Sequence, residues 1–98
     1  MVSCSVLIPT VLRPLARDAD AVTVSLPDDQ GQATVGNVLA SLAGSYPLLG
    51  RRLRDETGAL RRYVNVYLGQ DEVRRLQGLE TPVPDGGELL VIQSVAGG

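Results

Sequence analysis

The chain opens on strict alternation. In Val2-Ser3-Cys4-Ser5-Val6-Leu7-Ile8 the apolar residues Val2, Cys4, Val6 and Ile8 take every second place, the period of a strand with one buried face. Pro9 ends that strand, and a loop through Leu12, Pro14 and Ala16 follows. Alternation resumes over Ala21 to Leu26, where Val22, Val24 and Leu26 interleave with Thr23 and Ser25. Pro27-Asp28-Asp29-Gln30-Gly31 is turn chemistry. Two strands joined in this way are expected to pair antiparallel.

The period then lengthens. Thr34 is an N-cap candidate, and Val35, Val38, Leu39 and Leu42 fall at helical spacing. Gly44 followed by Pro47 is expected to close the helix, and Leu48, Leu49 and Leu53 predict one or two further helical turns ending near Asp55 to Gly58. Arg61 to Leu68 is a strand by its β-branched and aromatic content, with Val64, Val66 and Leu68 on one face and Tyr63, Asn65 and Tyr67 on the other. Gly69 to Glu72 is read as a turn, and Leu76 to Val83 as an edge strand or an irregular segment. After the turn Pro84-Asp85-Gly86-Gly87, the nearly all-apolar run Glu88 to Gln93 predicts a central strand with contacts on both faces. The order β-β-α-β-(β)-β is that of an α+β, ubiquitin-like β-grasp fold. It implies a mixed sheet of four to five strands packed on one main helix. Residues 1–94 make the domain and 95–98 a flexible tail.

Composition narrows the chemistry. The 98 residues are 44% hydrophobic with no Trp, no Phe and three Tyr, so Val, Leu and Ile must build the core, at roughly 1.5–3 kcal/mol for each side chain fully buried. A formal charge of -2 lacks the basic footprint of a nucleic-acid or acidic-membrane binder. All nine basic residues are arginine, so no lysine on this chain can receive an isopeptide bond. Histidine is absent, which removes Ser-His-Asp and Cys-His catalysis and the commonest zinc ligand. Asp28-Asp29 and Asp71-Glu72 read as turn residues before they read as a metal site. A single cysteine, with neither a signal peptide nor a membrane span, suits a reducing cytoplasm, and the free chain is expected to be a monomer. Cys4 lies in phase with Val2, Val6 and Ile8 and is expected to be a buried structural thiol. Arg51, Arg52, Arg54, Arg61, Arg62, Arg74 and Arg75 read first as a solvated surface and second as a partner-steering one.

The chain ends Ser94-Val95-Ala96-Gly97-Gly98. Three stretches, Ile8-Pro9-Thr10-Val11-Leu12-Arg13-Pro14, Arg62-Tyr63-Val64-Asn65-Val66-Tyr67 and Val95-Ala96-Gly97-Gly98, make the sequence resemble the ThiS/MoaD-type sulfur carriers over most of its length. Within that family it is most similar to the bacterial carriers that deliver sulfur for cysteine synthesis. Two positions depart from the pattern. Gly87 stands where the family turn usually has Asp, and Gln93-Ser94 where prolines commonly precede the tail.

The resemblance implies a non-catalytic carrier with no bound cofactor and no metal. Its Gly98 carboxylate is adenylated by an E1-like adenylyltransferase/sulfurtransferase that uses ATP and Mg, and is then converted to a thiocarboxylate. Val95, Ala96 and Gly97 would thread into the partner's active site, the glycines because a backbone without Cβ approaches closely. A sulfur-accepting synthase, either a pyridoxal-phosphate cysteine synthase or a synthase of thiosugars or other metabolites, would take the sulfur. A metallopeptidase that trims the adduct is implied for the cysteine route. Thiamine, molybdopterin and conjugation to protein lysines are alternative destinations. In a β-grasp arrangement Leu7, Tyr63, Tyr67, Leu90 and Ile92 fall together opposite the helix, an apolar docking face for the adenylating enzyme.

Overall fold

Val2–Leu7 (β1) and Ala21–Leu26 (β2) pair antiparallel, in register from Val2 opposite Leu26 to Leu7 opposite Ala21. The computed structural model describes residues 1–27 and 33–93; the turn residues 28–32 and the tail residues 94–98 lie outside them. Between the two strands the expected loop is a 3-10 helix, Thr10–Ala16, with Pro14 inside it. Leu12 and Ala16 are buried, so this segment closes one end of the core. Arg17 and Asp18 reverse the chain in the left-handed region, at φ 55 and 64.

The main helix, α1 (Val35–Ser45), is capped at Thr34, whose Oγ accepts from the Asn37 N–H at 3.2 Å. Val35, Val38, Leu39 and Leu42 form its buried stripe. Gly44 does not end it. The helix runs one residue further, and Pro47 opens a second helix, α2 (Pro47–Leu53), where a missing N–H costs nothing. Gly50 makes this pairing possible: a Cβ there would stand 2.4 Å from the Ala43 Cβ and 2.9 Å from its Cα. The helices touch backbone to side chain at that point.

The third strand is shorter than expected: β3 is Val64–Leu68, because Arg62 and Tyr63 turn before it. Asp71–Glu72, read as turn from sequence, forms a two-residue strand β4 against Tyr67–Leu68. Leu76 to Val83 is irregular, with a 3-10 turn at Gly78–Glu80 and one bridge from Pro82 to Thr34.

Gly87–Gln93 (β5) takes the centre of a five-stranded mixed sheet of order β2-β1-β5-β3-β4, parallel to β1 and antiparallel to β3. Asp85 sets its register: one carboxylate oxygen accepts from Ser3 N–H at 2.9 Å while Gly86 N–H donates to Ser3 C=O at 2.8 Å, with Gly86 at φ +80. The helices cover only one face of this sheet. Val6, Val64, Val66, Leu89 and Val91 pack inward against the helices, each at most 1% exposed, within a core that is aliphatic but for Cys4. This is the β-grasp architecture. The expected contacts on both faces of β5 are not there: Leu90 and Ile92 point away from the helices and are 38% and 40% exposed. The strand is central by its hydrogen-bonded edges, not by burial of both faces.

Candidate functional site: an apolar sheet face at the root of the tail

β-Pleating sends alternate residues of each strand to the uncovered face. There the pairing aligns Leu7 with Leu90 across β1 and β5, and Leu90 with Tyr67 across β5 and β3. With strands about 4.8 Å apart, these three side chains form one continuous row. Ile92 stands next along β5, beside Asn65. Four of the five residues expected on this face thus come together. Tyr63 does not join them. It lies in the turn before β3, where alternation no longer governs its direction, and packs half-buried against the core.

Beside this row a groove of about 580 Å³ opens between the sheet and the segment that follows β1. Leu7, Leu90 and Ile92 line it from the sheet, and Pro9, Thr10, Val11 and Arg13 from that segment. Val11 is 66% exposed although apolar, and Arg13 is held in place by Nε–H donated to Ile8 C=O at 3.0 Å. Gln93, the last residue of β5, also borders the groove. The site therefore lies where the chain leaves the sheet toward Ser94–Gly98. Val11 and Arg13 were not picked out as site residues from sequence. The signal was available in the Ile8–Pro14 stretch, which is distinctive in composition, but only the fold places that loop beside β5. Val95, Ala96, Gly97 and Gly98 themselves lie outside the described residues.

The rest of the chain offers little chemistry of its own. No three Cys, Asp or Glu side chains converge as a metal site among the described residues. Cys4 is 1% exposed, and burial pushes its thiol pKa above the ordinary value, with Glu88 adding to the rise and a hydrogen bond from Leu89 opposing it. The thiol is thus held protonated and shielded. Alkylation of native protein by iodoacetamide at neutral pH should be negligible over hours, and should become fast on adding denaturant. Rapid modification of the folded chain would contradict this environment. Asp55 has its carboxylate lowered by hydrogen bonds from the Thr57 hydroxyl and N–H and from Ala59 N–H; it shapes a turn. No helix is long and apolar enough to cross a membrane among the described residues.

A β-grasp domain with an apolar outer face at the root of a Gly-Gly tail is a ubiquitin-like carrier or modifier in form. The chain belongs to the ThiS family, whose model matches residues 6–98. It is 35% identical over 96 residues to the sulfur carrier protein CysO of Mycobacterium tuberculosis, covering 96% of this chain and 97% of that protein. The crystal structure of M. tuberculosis CysO superposes with a TM-score of 0.79 at 34% identity, over 94% of this chain and 99% of that one. A CysO-type relative is also known in an Amycolatopsis orientalis BexX/CysO complex, where the match has a TM-score of 0.83 at 33% identity, over 97% of this chain and 99% of the other. The small archaeal modifier protein 3 of Haloferax volcanii is 42% identical over 66 residues, 67% of this chain and 71% of that protein.

Proposed function

We propose that this protein is a sulfur carrier whose Gly98 carboxylate is activated by an E1-like enzyme and then holds sulfur as a thiocarboxylate. The observation that carries the reading is the outward-facing row Leu7, Leu90, Tyr67 and Ile92 beside the groove at the root of a Gly-Gly tail. Membership of the ThiS family supports it. A free carboxylate resists nucleophilic attack because its charge is delocalised. A Gly98 oxygen attacks the α-phosphorus of ATP, pyrophosphate leaves, and the resulting acyl adenylate carries AMP as a good leaving group. Hydrosulfide attacks the acyl carbon and expels AMP, leaving the thiocarboxylate on Gly98.

The carrier contributes binding. The outward-facing row docks on the activating enzyme, which then takes residues 95–98 into its active site. Conversion of Leu90 to Glu should raise the KM for adenylation about tenfold to thirtyfold, the loss expected of a central apolar contact. Its kcat and melting temperature should change little, because Leu90 already faces water. Unchanged KM would remove the sheet face from the interaction.

Sulfur delivery to a pyridoxal-phosphate cysteine synthase is the preferred destination, on the similarity to CysO-type carriers. A synthase that builds sulfur into another metabolite is a second acceptor; the BexX/CysO complex of a relative supports only that a carrier of this type docks on a partner protein. A modifier role is the second reading, favoured by the likeness to small archaeal modifier protein 3. Intact-mass analysis of protein from its native cell separates these. A gain matching one oxygen replaced by sulfur supports the carrier, and Gly98 in amide linkage to lysines of other proteins supports the modifier. An unmodified terminus under sulfur demand would overturn both.

A further inference from the structure

Residues 51–62 carry five arginines against two acids, while the rest of the chain carries four arginines against nine acids. The structure gathers this charge at one place. Gln93 pairs with Val64, the Val64 N–H donates to Arg61 C=O at 3.0 Å, and Arg61 Nε–H donates to Arg51 C=O at 2.7 Å. The arginine-bearing end of α2 is therefore tied, through two hydrogen bonds, to the strand end from which the tail departs. Arg74 joins from the other side, donating to the same Arg61 carbonyl at 2.8 Å and to Asn65 Oδ1 at 2.9 Å.

The partners of Arg61 and, apart from the Glu72 carboxylate, of Arg74 are carbonyl oxygens, which orient a cation without cancelling its charge. Arg74–Glu72 is the only ion pair among the described residues. Asp55, the nearest acid in sequence, has its carboxylate hydrogen-bonded by Thr57 and Ala59, and the charge of Arg61 acts on it more weakly. Arg51, Arg54 and Arg61, with the acids Asp55 and Glu56, line a hollow of about 370 Å³ on the helical side, and Arg51, Arg52 and Arg62 are exposed. Like charges held together repel one another, and opposite charge from outside would relieve that repulsion.

We infer that this arginine face is a second docking surface, which receives an acidic protein surface on the activating enzyme, at the rim of the cleft that takes the tail. The inference rests on the carrier reading above, because it is adenylation of Gly98 that brings such a rim against the tail root. Apolar contact on the sheet face and charge contact on the helical face then grip the carrier on both sides of its tail. The charge contact would act mainly on encounter rate and orientation.

The test is adenylation of full-length carrier by the activating enzyme of its own cell, followed as pyrophosphate release. Wild type is compared with Arg51→Glu/Arg52→Glu and with the milder Arg51→Gln/Arg52→Gln, each checked by thermal melting. The reversed pair should lower kcat/KM about tenfold or more at about 50 mM salt, through KM, and the deficit should shrink several-fold at about 400 mM as screening shortens the reach of charge. The neutral pair should fall between, and supplies the answer if the reversed pair melts early. Folded variants within about twofold of wild type at both salt concentrations would overturn the arginine face while leaving the carrier reading intact. A wild-type chain that the enzyme does not load at all would overturn both.

Discussion

Removing Gly97 and Gly98 is expected to reduce adenylation to background, below about one-thousandth of the wild-type rate, while leaving the melting temperature unchanged. Two residues of extended chain span about 7 Å. A truncated carboxylate on Ala96 would stop short of the α-phosphate by that distance, and misplacement by even about 1 Å can cost about a hundredfold in a positioned reaction. The fold should not register the loss, because the last ladder pair among the described residues, Gln93 with Val64, lies four residues before Gly97. The discriminating measurement is pyrophosphate release together with competition: the truncated protein, with Leu7, Leu90, Tyr67 and Ile92 intact, should still inhibit loading of the full-length chain. Normal turnover by the truncated chain would show that Gly98 is not the acceptor.

The second large effect is on stability. Gly50→Ala should destabilise the domain by about 1–3 kcal/mol, the range for overpacking a filled contact, and lower the melting temperature by roughly 4–8 °C for each kcal/mol. Alanine is the better helix former, so local propensity alone predicts the opposite sign. The clash decides, because the new methyl would stand 2.4 Å from the Ala43 Cβ, well inside contact distance. Adding Ala43→Gly removes that methyl and exchanges Gly for Ala between two helical positions, so propensity nearly cancels. The double variant should recover part of the loss, but not all, since the Ala43 Cα remains 2.9 Å from the new Cβ. A single variant as stable as wild type would mean that α1 and α2 are free to part.

Much of this architecture is legible along the chain, for reasons that differ by element. β1 and β2 follow from period-two alternation that matches their pleat, and α1 follows from Thr34 and the spacing of Val35, Val38, Leu39 and Leu42. Where the reading departs from the structure, a longer-range contact has overruled a local cue. Asp71–Glu72 has turn composition yet pairs with Tyr67–Leu68, and Thr10–Ala16 coils because Leu12 and Ala16 must reach the core. Tyr63 shares parity with Tyr67, but parity carries direction only while the strand lasts, and β3 begins at Val64.

By itself the sequence determined what chemistry the protein can take part in. The absence of His and Lys, the terminal Gly pair and the aliphatic strands all follow from residue identity, which folding does not alter. The tertiary structure alone decided what stands next to what. β5 runs parallel to β1, and parallel neighbours need a long crossover. Pairing across some eighty residues brings Leu90 beside Leu7, sets Val11 and Arg13 along the groove, and gathers Arg51, Arg61 and Arg74 near the end of β5. Burial of one sheet face under α1 and α2 leaves the other apolar and uncovered. That one-sidedness is a property of layers, and no local pattern in Glu88–Gln93 encodes it.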